Sequence, residues 1–280
     1  MDFTKRLALR YVQTKFQVLS RLSKKKAAEE AFKLFITPQS RVKKDLPPVF
    51  KKAEKLSFNF DGIPIQGFRF NHPCNKKVLI LHGFESSVLN FDTYVQPLMK
   101  KGYEVLAFDA PAHGLSGGRR INAVDYKNFI LQIVKIYGPV TSFVTHSFGG
   151  LALGLALEEL PHDESWKAVF ISPATESTTA LKNFVRFIHL DEEVQKEFAR
   201  LIEKANNRPL AWYSVGRAAA NIKAQVLFLQ DRKDYITPLF DVQPIIDKHY
   251  PNFRFVISDG FGHSRIYRER QTVQAVVDFL

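Results

Sequence analysis

Apolar residues fall into two periods along this chain. Leu56–Phe60 and Ile65–Phe70 flank Asp61-Gly62 and alternate with polar neighbours, which predicts a pair of antiparallel strands joined by a tight turn. Six further runs are short and almost wholly apolar: Val78–His82, Val105–Asp109, Ser142–Thr145, Ala168–Ser172, Gln225–Gln230 and Phe253–Ile257. Strands with no polar face are strands buried on both sides, as in a parallel sheet. Between them, Tyr94–Lys101, Val124–Tyr137 and Leu151–Leu160 carry helical patterns. The alternation predicts a three-layer α/β/α sandwich around a mostly parallel, eight-stranded sheet.

Two segments stand outside that alternation. Residues 3–22 plot as an amphipathic helix, with Leu7, Tyr11, Val12, Phe16, Leu19 and Leu22 on one broad face and Arg6, Arg10, Gln13, Gln17 and Arg21 on the other. Lys24-Lys25-Lys26 and a second helical run, Ala27 to Ile36, follow; Pro38 and Pro47-Pro48 mark a linker into the first strand. This defines a helical leader over residues 1–55 and a main domain over 56–280. The second segment is the stretch of about fifty residues between the strands ending at Ser172 and starting at Gln225, far longer than a simple crossover needs. Its content, including Phe184, Phe187, Phe198, Trp212 and Tyr213, predicts a helical cap inserted at approximately 175–222.

Charge sharpens the division. The net +12 of the 280 residues is concentrated in residues 1–55, with 15 Lys/Arg against 5 Asp/Glu; residues 56–280 hold 25 against 23. The leader's apolar face is expected to pack on the main domain or on a second copy in a homodimer, or to lie on an anionic membrane surface. No nucleic-acid module accompanies the charge, so no nucleic acid is expected as a partner. Apolar residues are 45% and no run approaches the ~20 apolar residues of a membrane span. Cys74 is the only cysteine, which rules out an internal disulfide and suits a reducing compartment. With no secretory pattern behind Met1-Asp2, the expected location is cytoplasmic.

The chemistry gathers at Val144-Thr145-His146-Ser147-Phe148-Gly149-Gly150, where a strand meets a helix. A serine on such a sharp turn is held out toward substrate, and the turn needs small residues beside it because strand and helix backbones approach closely. Gly149 satisfies the position after; Thr145 stands where glycine is usual before it. A serine hydroxyl needs a base, and that base needs a carboxylate. Downstream, Asp231 and Asp234 follow one strand and His263 follows the next.

These features resemble an α/β-hydrolase-fold serine hydrolase from about Leu56 to Leu280. Leu79-Ile80-Leu81-His82-Gly83-Phe84 is similar to that family's strand ending in His-Gly. Phe108-Asp109-Ala110-Pro111-Ala112-His113-Gly114-Leu115-Ser116 is similar to its D-x-P-x-H-G-x-S loop. Asp234 before Pro238 and the pair Gly262-His263 match its acid and base motifs, although the glycine usual near the acid is absent. The resemblance implies Ser147 as nucleophile, His263 as base, Asp234 as orienting acid, and the backbone N–H groups of Phe84 and Phe148 as oxyanion donors. It implies a small carboxylic ester or thioester as substrate, with no metal or organic cofactor. Lactonase, amidase, peptidase and C–C bond hydrolase chemistry share the same residues, and a non-catalytic binding role on the same scaffold is the remaining alternative. Asp231 and Glu176 are the competing acids. His82 and His113 are expected to hold loops, and the turn to direct the His146 side chain away from the site.

Overall fold

The computed structural model describes residues 3–42 and 44–280; Met1, Asp2 and Lys43 lie outside it. Its strands are β1 (Glu54–Phe60), β2 (Ile63–Phe70), β3 (Lys76–Leu81), β4 (Tyr103–Phe108), β5 (Ser142–His146), β6 (Lys167–Ile171), β7 (Gln225–Asp231) and β8 (Phe253–Ser258). Its helices are α1 (Phe3–Leu22), α2 (Lys24–Phe35), α3 (Asp92–Lys100), α4 (Ala123–Tyr137), α5 (Phe148–Leu157), α6 (Ser177–Ile188), α7 (Glu192–Asn206), α8 (Val215–Ala218), α9 (Leu239–Ile246), α10 (Gly262–Arg265) and α11 (Arg270–Phe279). The eight strands form one sheet in the order β1-β2-β4-β3-β5-β6-β7-β8. β2 runs antiparallel to both β1 and β4, and every other pairing is parallel.

The continuous apolar runs have the predicted consequence. All six residues of β4 and all five of β5 are buried. On one face Val78, Ile80, Val105, Ala107, Val144, Val169, Ile171, Leu227 and Leu229 join Tyr94, Val95 and Leu98 of α3 and Val276 of α11 in one core. On the other face Phe129 of α4 stacks on Phe58, and Tyr137 packs against Phe108. α4 starts with a capping box in which Asn122 and Asp125 satisfy each other's backbone N–H groups. The edge strand β8 alternates in burial, as a strand with one solvated face should.

The chain divides into two compact units. One contains the sheet: Pro38–Thr175 and Ser214–Leu280. The other joins the chain through Thr37 to Glu176–Tyr213. The sequence places leader and cap in separate segments, bounded at 55 and at 175–222; by contact, the leader's helices and the inserted helices form one body, and residues 38–55 and 214–222 go with the sheet. Within the helical unit α2 presents Ala27, Ala28 and Ala31, all fully buried, so its backbone lies close to α7. Val194, Phe198 and Ile202 form the buried stripe of α7 at helical spacing. Phe32, Phe35 and Phe184 surround Phe198, with ring centroids 5.6, 5.7 and 6.3 Å away. The Lys24 ammonium meets Asp191 at 2.9 Å, and the Gln13 amide donates to the Phe187 carbonyl.

The broad apolar face expected for α1 is split. Phe16 is buried and Val12 and Leu19 are half-buried, whereas Leu7, Tyr11 and Leu22 point outward with Val18. The side chain of Arg6 lies outside those described. Among the described residues no helix is long and apolar enough to cross a membrane.

Candidate active site

The parallel pairing brings the carboxyl ends of β5, β6, β7 and β8 side by side, and the loops leaving them carry the chemistry. Ser147 follows β5 at φ 53° and ψ −118°, a conformation that L residues avoid. Backbone hydrogen bonds hold it there. Its N–H donates to the Ile171 carbonyl at 3.1 Å, and its own carbonyl accepts from the N–H groups of Gly150 and Ala174, each at 2.9 Å. A serine before a helix ordinarily turns its oxygen back to cap that helix. Here it makes no such bond, and the hydroxyl faces His263 instead.

The close approach at this turn is visible in the glycines. A Cβ built on Gly149 would lie 2.7 Å from the Leu81 carbonyl oxygen and 2.8 Å from that of His82. One built on Gly150 would meet Pro173 Cβ at 2.7 Å and Thr145 Oγ1 at 3.3 Å. The second glycine therefore leaves the space in which Thr145 fits, and the Thr145 hydroxyl donates to the Val169 carbonyl at 2.9 Å.

Ser147, His263 and Asp234 form one hydrogen-bonded chain. His263 Nδ1 lies 2.8 Å from Asp234 Oδ2, and Nε2 lies 3.0 Å from Ser147 Oγ. A carboxylate can only accept, so Nδ1 carries the proton and Nε2 accepts from the serine hydroxyl. Burial acts to raise the Asp234 carboxyl, but hydrogen bonding and charge from His263, with hydrogen bonds from Thr237, leave it below the usual carboxylate range. Of the two aspartates at and just after the end of β7, it is Asp234 and not Asp231 that meets the His263 ring.

Asp231 has a different task. Its two oxygens accept from the N–H groups of Lys233, Gly260, Phe261 and Gly262 and from the Ser258 hydroxyl, at 2.7 to 3.2 Å. Burial opposes its charge, yet these donors hold the carboxyl down to about 2. The carboxylate thus organises the loop that carries His263. Thr237 was not anticipated either. Its hydroxyl donates to Asp234 Oδ2 at 2.8 Å and lies 3.1 Å from His263 Nδ1. The available signal was the spacing Asp234-x-x-Thr237-Pro238, in which a hydroxyl one turn on can reach back to the carboxylate.

His146 does not turn away as expected. Its Nε2–H donates to the His263 carbonyl at 3.1 Å, and its ring packs on His263 and on Tyr267, with centroids 4.8 and 4.3 Å away. Burial holds it neutral, pushed down to about 3. His82 and His113 do hold loops. His82 donates to the Gly83 carbonyl and accepts from Ala110 N–H; His113 donates to the Pro111 carbonyl and accepts from Glu85 N–H. Burial pushes them to about 4 and about 3. Asp109 accepts from Val88 and Leu115 N–H, and burial raises its carboxyl above the usual range.

Phe84 and Phe148, the expected oxyanion donors, lie on either side of the turn. Phe148 is the first residue of α5, and its ring meets that of Phe84 edge-on at 5.7 Å. A Cβ on the adjoining Gly83 would come 3.0 Å from Ser147 Cβ, so the loop after β3 passes directly over the serine. Among the described residues neither the Phe84 nor the Phe148 N–H donates to a backbone carbonyl.

Comparison with known proteins agrees with this architecture. A family model described as serine aminopeptidase, S33, matches residues 72–224, just over half of the chain. The chain is 28% identical over 107 residues to the uncharacterized hydrolase YugF of Bacillus subtilis; the match spans 36% of this chain and only 39% of that protein's length. Among solved structures, the esterase Pf2001 of Pyrococcus furiosus superposes with a TM-score of 0.64 at 23% identity, covering 88% of this chain and 97% of the esterase. A monoacylglycerol lipase of Paleococcus ferrophilus gives 0.58 at 20% identity, covering 77% and 99%. At that identity the likeness concerns the fold. Sheet order, strand-end loops and family match together make this chain a hydrolase of the α/β-hydrolase fold, belonging to the S33 serine aminopeptidase family.

Proposed function

We propose that the protein cleaves a carboxylic ester or thioester through an acyl-enzyme on Ser147. The observation that carries this reading is the unbroken chain from Asp234 through His263 to Ser147, with contacts of 2.8 and 3.0 Å, ending at a serine in a left-handed conformation. Ser147 Oγ attacks the acyl carbon as its proton passes to His263 Nε2. Asp234 accepts from Nδ1–H and stabilises the imidazolium. The developing oxyanion is held by the N–H groups of Phe84 and Phe148, donors worth roughly 3–4 kcal/mol each when aligned. The positive end of the α5 dipole adds to that potential. Protonated His263 then hands its proton to the leaving oxygen or sulfur. Water enters, His263 activates it, and the acid is released.

The family's description brings in a second reading, cleavage of an amino-terminal peptide bond. An amine leaves less readily than an alkoxide or thiolate, so activity on both ester and amide substrates would mark a peptidase. The test is labelling by a fluorophosphonate probe, followed by turnover of nitrophenyl esters of graded acyl length and of aminoacyl nitroanilides. The expected result is labelling that vanishes in Ser147→Ala, with turnover confined to esters. Equal labelling of Ser147→Ala, or none of well-folded wild type, would overturn the acyl-enzyme. Turnover of the nitroanilides would move the reading to the peptidase.

A further inference from the structure

α1 is apolar on two opposite sides, and its fold uses only one of them. Phe16, with Val12 and Leu19, faces inward. On the far side Leu7, Tyr11, Val18 and Leu22 are 52, 71, 50 and 78% exposed. At about 100° per residue these four fall within an arc of about 60°, a straight stripe along the helix. Exposed cations border it. Arg10 and Arg21 lie on one flank and Lys15 on the other, and Lys25 and Lys26 extend the charge past the helix end. Lys15 approaches Glu30 at 3.8 Å; among the described residues, Arg10, Arg21, Lys25 and Lys26 have no carboxylate within salt-bridge distance. The twenty residues of α1 hold five Lys/Arg and not one Asp or Glu.

From this we infer that the outer face of α1 docks the protein on an anionic lipid surface. The shape of the patch selects among partners. Four side chains in one line form a patch far smaller than the roughly 800 Å² per partner of a stable protein–protein interface. A bilayer needs no complementary shape: it accepts a narrow stripe at the level of the acyl boundary while the flanking guanidinium and ammonium groups meet the headgroups. A second copy of the chain is disfavoured by the same cations. A two-fold contact through this stripe would place Arg10, Arg21 and their equivalents against one another. The attraction to acidic headgroups is worth about 1 kcal/mol for each Lys or Arg at the surface, which suits reversible attachment. The inference rests on α1 alone and is independent of the reaction proposed for Ser147.

Co-sedimentation of the full chain with phosphatidylcholine vesicles, with and without phosphatidylglycerol, tests it. Binding should require the anionic lipid and be lost at high salt. Arg10→Gln with Arg21→Gln should weaken it about thirty-fold, and Tyr11→Ser with Leu22→Ser about tenfold or more. All four side chains are exposed, so the helical signal of both variants should match wild type. Absence of sedimentation, or sedimentation unaffected by either pair, overturns the inference. Concentration-dependent self-association that Tyr11→Ser with Leu22→Ser removes, without vesicle binding, would assign the stripe to a second copy and overturn it equally.

Discussion

The sheet unit and the helical unit are held together by different physics. Around the site, buried polar groups grip the backbone. Asp231 takes four N–H groups and a hydroxyl, Asp109 takes two N–H groups, and His82 and His113 each tie two loop segments. In the helical unit, rings and small side chains do the corresponding work: three phenylalanines around Phe198, an alanine face on α2, and a half-exposed ion pair. Hydrogen bonds are directional and fix atoms to within tenths of an ångström. Apolar packing fixes a volume and penalises its loss, but accepts small slides. The region that must align a serine, an imidazole and a carboxylate uses the first; the region that must only hold helices together uses the second.

The sharpest way to break the comparison is to remove one directional bond at a time. Asp234→Asn presents an amide to Nδ1 and stabilises the wrong tautomer; ester turnover should fall about 10⁴-fold with the fold intact. Asp231→Asn, which touches no reacting group, should cost about 10²-fold in kcat by displacing the His263 loop. If Asp231→Asn were silent, the grip of the backbone would be unnecessary. On the other side, Phe198→Ala should cost about 3–5 kcal/mol. Most of that loss should fall on the helical unit, so that unfolding followed by helical signal separates from loss of Ser147 labelling. A single coincident transition would mean that the two units unfold as one.

Acid gives an intermediate effect. His82, His113 and His146 stay neutral when folded, with values of about 4, 3 and 3, but take up protons when unfolded. Their contribution is fully present above the unfolded value of about 6.5 and is lost as pH falls toward the folded values. Each should remove ~1.4 kcal/mol per pH unit over that window. Below about pH 4 the depressed carboxyls of Asp231 and Asp234 add to the loss; the raised Asp109 works against it above that pH, where the folded protein takes up this proton first. Urea midpoints from pH 7.5 to 4.5 should fall steeply, and His146→Gln, which keeps a donor but cannot titrate, should reduce the slope by about a third. The smallest effect is expected from Lys24→Ala. A half-exposed pair is worth at most ~1 kcal/mol, so the thermal midpoint should barely move.

The strands were legible in the sequence because burial on both faces leaves β4 and β5 with apolar centres and no alternating polar face. That Ser147, Asp234 and His263 would come together was legible because each follows a strand end of one parallel sheet. Asp231 as loop organiser, Thr237 as a third contact to Asp234 and His146 as a prop beneath His263 were not, since each role depends on where loops meet in space. The association of α2 with α7 was hidden for the same reason: Phe32 and Phe198 lie far apart in the chain and share no local pattern.

The fit of Thr145 against Gly150 has a consequence for how this turn can change. The two positions behave as one coupled locus. A methyl at 150 is already opposed by Pro173, and with threonine at 145 it is opposed twice. Glycine at 150 therefore eases the fit of threonine at 145. A directed-evolution library that randomises 145 at fixed Gly150 would return many folded variants, whereas one that randomises 150 at fixed Thr145 would return almost none. A pattern search that insists on glycine two residues before the serine would pass over this chain; one that measures the free space beside the first turn of α5 would find it.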